Sequence, residues 1–209
     1  MFIGPIVHTE KRKQENNNVI VRRIDYKVDD EEFNEIKHNF RGDVCYSSMI
    51  GKLCTYNRRS EFIIKLIKSL FKENKNQQIL ILGHNKNLLT YLYDSLTHNK
   101  VETVGYYLGG MKQEHLKMSE EKKIIIATYQ MASEGLDIKS LTTLLMVTPK
   151  SDVIQCVGRI LRSKHENPMV IDIVDQHDIF KRQFYSSLCI KSVTLCFDLV
   201  CNCVRNAKK

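Results

Sequence analysis

The sequence predicts an α/β domain in which a mainly parallel sheet is covered by helices on both faces. Short runs of consecutive apolar residues recur along the chain, for example at 79–82 and 124–127. Strands that are apolar at every position are buried on both faces, as they are in parallel sheets. Segments with apolar residues at helical spacing separate these runs, and this alternation is typical of α/β folds.

The predicted elements follow one another in a regular order. A helix is expected after Asn57, because residues 62, 63, 66, 67 and 70 are apolar and fall on one helical face. The predicted strands are 79–82, 102–107, 123–127, 143–147 and 169–174, and the segment 19–26 is also compatible with a strand. Further helices are expected at 86–96, at 152–162 and from about residue 178.

The composition is that of a globular protein. The chain has 209 residues, a formal net charge of +8, 43% hydrophobic and 27% charged residues, which excludes wholesale disorder. No apolar run approaches the roughly 18 residues of a membrane span, and the N-terminus lacks the order of a signal peptide. We therefore expect a soluble, intracellular protein with no membrane partner.

The chain divides into three expected parts. A partly irregular lead-in covers 1–54, one domain covers 55–190, and a Cys-rich appendix at 191–209 is compatible with a helix or a strand. The seven cysteines show neither a secretory context nor zinc-ligand spacing, so free thiols and no metal are predicted. Basic doublets such as Arg58–Arg59 are expected at the solvated surface, where they are compatible with a polyanionic partner but do not establish one.

Two segments that follow predicted strands contain candidate binding residues, because open parallel sheets bind ligands beyond the carboxyl ends of their strands. Gln155, Arg159 and Arg162 share one face of the predicted helix, and Gly158 leaves room for close approach to its backbone. Arginine suits bidentate binding of phosphate oxygens. A solvated face with neighbouring carboxylates is the alternative.

The other segment runs from Thr128 to Ile138, after the predicted strand 123–127. Gly135 permits a tight backbone path, and the Asp137 carboxylate could accept hydrogen bonds from a ribose or fix an arginine. A plain turn is the alternative for this segment taken singly.

Together, in this order and on this strand pattern, the two segments resemble the second RecA-like lobe of superfamily 2 helicases. The stretch 128–138 resembles motif V, and Gln155-x-x-Gly-Arg-x-x-Arg162 resembles motif VI. Residues 79–84 and 107–110 fit motifs IV and IVa. The sequences of these motifs are most similar to those of the branch that includes phage recombination helicases, the poxviral transcript-release helicase and XPB-like repair helicases. The resemblance covers about residues 1–187 and implies a RecA-like three-layer fold.

The resemblance also implies roles for the matching residues. Arg162 would be the arginine finger that reaches the γ-phosphate of ATP, Arg159 would assist at the phosphate or couple it to the nucleic-acid track, and Gln155 would orient the attacking water or the γ-phosphate. Gly135, Asp137 and Gly158 would lie near the nucleotide. The predicted nucleic-acid contacts are Gly83, His84, Asn85, Gly109, Gly110 and Thr128. The branch favours DNA over RNA as the track.

Two elements of a complete motor are missing from the sequence. It has no G-x-x-x-x-G-K-[ST] loop, since Gly51-Lys52 lacks the preceding glycine at the required spacing, and it has no acidic Mg²⁺ box after a strand. ATP and Mg²⁺ would therefore bind mainly to a missing first lobe, present in cis or in trans, from which the lead-in 1–54 would continue. The chain alone is predicted to be inactive.

Two other functions differ from a motor lobe in the residues that they require. A non-catalytic nucleic-acid-binding module with the same fold is the main alternative, although such a module has little need for the complete set of Gln155, Arg159 and Arg162. An unrelated α/β enzyme would need a nucleophile or an acid–base set at the strand ends, and no such set stands out.

Overall fold

The computed structural model of the chain describes residues 19–134, 136, 138–151, 168–191 and 195–200. Its strands are β1 Val19–Tyr26, β2 Ile79–Gly83, β3 Val104–Tyr107, β4 Ile124–Thr128, β5 Thr143–Met146, β6 Met169–Asp175 and β7 Leu195–Val200. Its helices are α1 Glu31–Asn34, α2 Tyr46–Thr55, α3 Asn57–Glu73, α4 Lys86–His98, α5 Gln113–Glu120, α6 Tyr129–Glu134 and α7 Asp178–Lys191. The predicted helix 152–162 lies outside the described residues.

The strands form one seven-stranded sheet in the order β3-β4-β2-β5-β6-β1-β7. Every described pairing is parallel, for example Ile79 with Ile124 and Leu144 with Val170. All five strands predicted between 79 and 174 are present. The prediction of an α/β fold with a mainly parallel sheet is confirmed.

The apolar runs are explained by burial on both faces of the sheet. In β2, Ile79 and Ile81 belong to a core with α2, α3 and α4, whereas Leu80 and Leu82 belong to a second core with α5 and α6. All four of these side chains are fully buried. Side chains alternate across a strand, so a strand that serves both cores must be apolar throughout.

The lead-in and the appendix both contribute strands to this sheet. In β1, Ile24 pairs with Ile173 of β6 on one side and with Val200 of β7 on the other. The segment 19–26 is therefore a strand, and the Cys-rich appendix contributes a strand rather than a helix at 195–200.

One basic doublet is not at the surface as the sequence suggests. Arg58 is exposed and pairs with Asp30, but Arg59 is fully buried and makes a bidentate ion pair with Asp175 at the end of β6, at 2.6 and 2.8 Å. The expectation of a solvated doublet is wrong for Arg59. Its partner lies 116 residues away, so the local sequence gives no sign of the pair.

The strand order creates a crevice at one place in the sheet. From β2 the chain continues to β3 toward one edge, and from β5 it continues to β6 toward the other edge. Where two neighbouring strands continue in opposite directions, their carboxyl ends leave room for a ligand. The β2–β5 boundary is therefore the position at which the topology favours binding.

No helix in the described part of the chain is long and apolar enough to cross a membrane.

Candidate functional site

The ends of β2, β4 and β5, with the residues directly after them, form what we call the open rim. The parallel register places Gly83 beside Thr128 and Leu82 beside Met146. The loops that follow these three strands therefore begin side by side. Four of the predicted nucleic-acid contacts, Gly83, His84, Asn85 and Thr128, lie on this rim.

Gly83 ends β2 in a closely packed position. A Cβ atom built there would lie 3.1 Å from Leu89 Cδ2 and 3.1 Å from Val147 Cγ2. Contacts this short force the neighbouring side chains to move, so glycine allows the start of α4 and the end of β5 to approach each other.

Asn85 caps the 13-residue helix α4. Its side-chain Oδ1 accepts hydrogen bonds from the N–H groups of Asn87 at 2.8 Å and Leu88 at 3.3 Å. Asparagine is among the preferred N-cap residues. The cap directs the positive end of the α4 dipole toward the open rim, where an anion would be stabilised.

His84 lies between this helix and the end of β5. Its backbone N–H donates to Thr148 Oγ1 at 3.1 Å, and its ring Nδ1 lies 2.9 Å from the same oxygen. Thr148 is fully buried. A hydroxyl that accepts from the backbone N–H can donate its own proton to Nδ1, which favours the tautomer that has its proton on Nε2.

The His84 ring is neutral near pH 7. The pKa of His84 lies below its ordinary value, mainly because the ring is partly buried and secondly because the positive charge of Lys150 is near. The ring also packs on Tyr129, with centroids 4.7 Å apart. Nε2 has no partner among the described residues and is available as a neutral donor.

Tyr129 and Lys150 complete the group around Thr148. The buried Tyr129 hydroxyl donates to the Thr148 carbonyl oxygen, which ties the start of α6 to the end of β5. Lys150 Nζ lies 5.9 Å from the centroid of the Tyr129 ring. Within the described residues Lys150 has no carboxylate partner, so its charge is available to a ligand.

Thr128 is the last residue of β4 and lies next to this group in the sequence. Its Oγ1 accepts a long hydrogen bond, 3.4 Å, from the Met131 N–H at the start of α6. The side chain is half-buried. The hydroxyl proton is not used in that bond and can be donated to a ligand.

Gly109 and Gly110 form an exposed turn after β3, at the edge of the open rim. Gly110 has φ +86°, a conformation that glycine adopts without strain. A Cβ on Gly109 would lie 3.6 Å from Met131 Sδ, so the turn rests against α6. Neither N–H donates to a described residue.

The remaining predicted residues lie outside the described part of the chain. These are Gly135, Asp137, Gln155, Gly158, Arg159 and Arg162. Their roles stay predictions. Leu136 and Ile138, which flank Asp137 in the sequence, are described and are buried in the core on the α5–α6 face.

The sequence reasoning missed three residues of the open rim: Tyr129, Thr148 and Lys150. A signal for Thr148 exists, because its hydroxyl comes directly after the apolar run 144–147. Among the described residues no group of three or more His, Cys, Asp and Glu side chains could hold a metal ion.

Comparison with known proteins places this geometry in a wider context. Residues 59–164 match the family described as the helicase conserved C-terminal domain. A protein of Acanthamoeba polyphaga mimivirus that is named as an ATP-dependent RNA helicase, L396, is 42% identical over 190 residues, which cover 87% of this chain and 36% of that protein. The chain thus spans about a third of the length of this relative.

Two solved structures share the fold. T4 UvsW superposes with a TM-score of 0.66 at 19% identity over 88% of this chain and 42% of that one. A chain in the structure of the Escherichia coli DEAD-box protein SrmB bound to regulator of ribonuclease activity A superposes with a TM-score of 0.58 at 14% identity, over 90% and 93% of the two chains. At these identities the likeness shows the fold, which is RecA-like as the sequence implies.

Proposed function

The chain belongs to the family of helicase conserved C-terminal domains, and from this premise we propose that it is the second motor lobe of an ATP-dependent superfamily 2 helicase or translocase. In this proposal it supplies the arginine finger and part of the nucleic-acid track. A first lobe, in cis or in trans, supplies the Walker motifs and binds most of the ATP and the Mg²⁺. Without that lobe the chain does not hydrolyse ATP.

The single observation that supports the track most strongly is the set of unused donors on the open rim and on the turn beside it. His84 Nε2, Lys150 Nζ and the N–H groups of the Gly109–Gly110 turn have no acceptor among the described residues. Donors of this kind bind phosphate and sugar oxygens without reading bases, which suits a motor that must move along any sequence. His84 and Lys150 lie at the β2–β5 crevice that the strand order creates, and the Gly109–Gly110 turn follows β3, two strands from β2.

The ATP side of the proposal depends on the motif VI residues. Arg162 would stabilise the charge that develops on the γ-phosphate in the transition state, with Arg159 and Gln155 beside it. Gly135, Asp137 and Gly158 would lie near the nucleotide. The likeness of these residues to the family pattern supports the assignment.

The proposal is tested by restoring a motor from two pieces. The chain is mixed with the part of the mimivirus relative that it does not cover, and ATP hydrolysis is measured with Mg²⁺ and single-stranded nucleic acid. We expect hydrolysis only in the mixture. Arg162→Ala should reduce the stimulated rate by roughly 10³- to 10⁵-fold, because an arginine finger has about that effect.

Arg58→Ala is the matched control, since Arg58 is an exposed arginine whose described partner is the surface residue Asp30. It should leave the stimulated rate unchanged. Hydrolysis by the unmixed chain would contradict the assigned division of roles. Nucleic-acid binding without any stimulation in the mixture would favour the non-catalytic module instead.

The same mixture decides the nature of the track. The name of the mimivirus relative favours RNA as the track, whereas the branch that the motif sequences resemble favours DNA. Competition between RNA and DNA strands of equal length and sequence, read as stimulated ATP hydrolysis, distinguishes the two.

A further inference from the structure

A short hairpin between α1 and α2 concentrates exposed apolar side chains. Four of the large hydrophobic residues that the described structure leaves exposed lie within eleven positions of one another: Ile36 at 48%, Phe40 at 92%, Val44 at 41% and Tyr46 at 37%. We call this segment the 36–46 hairpin. Exposed apolar groups gathered in one place are typical of binding surfaces.

The 36–46 hairpin is ordered by its own hydrogen bonds. Its two arms are joined by the His38–Val44 bridge, with bonds of 2.8 Å from the Asn39 N–H to the Asp43 oxygen and from the Cys45 N–H to the Lys37 oxygen. The turn is closed by Asn39, whose Oδ1 accepts from the N–H groups of Arg41 and Asp43. A backbone bonded in this way holds Phe40 outward at little further entropic cost.

The tip presents two flat groups together. The Arg41 guanidinium lies 5.2 Å from the centroid of the Phe40 ring. Arg41 has no ion pair with any described residue. Aromatic rings and guanidinium planes are the groups on which unpaired bases stack.

The base of the hairpin is fixed to the same side of the sheet as the open rim. The Tyr46 hydroxyl donates toward the Pro149 carbonyl oxygen at 3.1 Å and Gln183 Oε1 at 2.8 Å. Pro149 stands between Thr148 and Lys150, both of which belong to the open rim. A strand held by the open rim therefore passes the foot of the 36–46 hairpin.

We propose that the tip of the 36–46 hairpin, Phe40 with Arg41, is a stacking platform for one unpaired base of the nucleic-acid strand that the open rim holds. This inference rests on the proposed function and adds a contact to a base, whereas the open rim contacts the backbone. The surrounding charges agree with stacking rather than with attraction of phosphates. Glu35 and Lys37 pair with each other, and the formal charges of Arg41 and Asp43 sum to zero.

The test uses the fact that the chain contains no tryptophan. Phe40→Trp introduces a single tryptophan at the tip, which can be excited apart from the tyrosines, and a base stacked on it quenches its emission. The probe is a homopolymer strand of about 16 nucleotides, in RNA and DNA forms, a length that covers the site sizes of single-strand binders. Met118→Trp is the matched control, because Met118 is also exposed, at 60%, but lies on α5.

We expect the strand to bind the unaltered chain, as measured by fluorescence anisotropy, and to quench Phe40→Trp but not Met118→Trp. Phe40→Ala should weaken binding by roughly 5- to 150-fold, since stacking on one aromatic side chain is worth about 1–3 kcal/mol. Phe40→Tyr should restore it. The factor should be the same at low and high salt, because stacking releases no counterions.

Each of the other possible results overturns a defined part of the proposal. Binding without quenching at position 40 overturns the stacking platform and leaves the track on the open rim intact. Absence of binding overturns the track and the platform together. A change in Phe40→Trp emission that grows with protein concentration, without nucleic acid, shows that the tip contacts a second copy of the chain and also overturns the platform. Unchanged thermal unfolding of Phe40→Ala confirms that the variant is folded.

Discussion

The carboxyl side of the sheet has two halves that differ in how they treat polar groups. In the open rim and in the Gly109–Gly110 turn beside it, the donors of His84, Lys150 and the turn have no described partners. In the closed rim, which we define as the ends of β1 and β6 with Asp175 and His177, polar groups are buried under α1 and α3.

Each half contains one histidine, and the contrast between the two shows the difference directly. His84 is exposed and keeps Nε2 available, whereas His177 is buried and its Nε2 donates to the Phe33 carbonyl oxygen at 2.8 Å. The same edge of one sheet thus leaves donors unused where the topology reverses and buries its polar groups where the lead-in covers it. Unused donors, more than polar residues as such, are what we expect of an edge that binds a ligand.

The strongest test of this contrast is at the closed rim. Asp175→Asn keeps the shape of the side chain but leaves the buried Arg59 charge without its counter-ion. Breaking a buried pair on one side costs about 3–5 kcal/mol. We expect the free energy of unfolding, measured in urea, to fall by about that amount.

Asp178→Asn is the control for this change, because the Asp178–Lys181 pair is exposed and such pairs contribute about 0–1 kcal/mol. Equal losses in the two variants would show that the Arg59–Asp175 pair does not anchor α3 to β6.

A second test addresses the open rim. Lys150→Ala should weaken nucleic-acid binding a few-fold and reduce the steepness of its salt dependence by about one phosphate contact, while stability stays nearly constant. Lys65→Ala, at an exposed lysine of α3, should change neither quantity. Titration of a labelled strand at several salt concentrations measures both. An unchanged salt dependence in Lys150→Ala would remove Lys150 from the binding edge.

The smallest effect is expected from pH at the closed rim. Burial holds the pKa of His177 below its ordinary value of about 6.5, so the folded state prefers the neutral ring. The stability that this ring contributes is complete above about pH 6.5 and is lost as the pH falls toward the folded pKa. Protonation would also place a proton on the buried Nδ1, which has no acceptor.

Urea unfolding between about pH 7.5 and 5 measures this dependence. His177→Gln should flatten the acid side of the curve, and His84→Gln should flatten it less, because His84 is the more exposed ring. A larger change for His84→Gln would reverse the assignment of the two halves.

The sequence predicted the fold well because the relevant signal is local. Fully apolar runs such as 79–82 and 144–147 indicate strands that face two cores, and the structure contains both strands. The residues of the rim were predictable where they end a strand, as for Gly83 and Thr128. The closed rim was not predictable, because Arg59 and Asp175 meet across 116 residues and a lone arginine in a doublet is more often solvated.

Thr148 and Tyr129 were not predictable from the sequence for a related reason. Their role is to hold three loops in place, and that role depends on distances between strands rather than on spacing along the chain. The 36–46 hairpin was not predictable because no periodic pattern distinguishes an outward phenylalanine from a buried one. The exposure of Phe40 depends on which residues pack around it, and only the structure shows this.

The pairing of β1 has a consequence for how the molecule is made. β1 lies between β6 and β7, and its partner residues in β6 follow it by about 150 positions. At synthesis rates of about 5–20 residues per second, β1 waits roughly 7–30 s on the ribosome before β6 exists. Contacts so distant along the chain also slow folding. The part of the sheet that forms last is therefore the one that holds the buried Arg59–Asp175 pair, and β1 stays unpaired until β6 has been made.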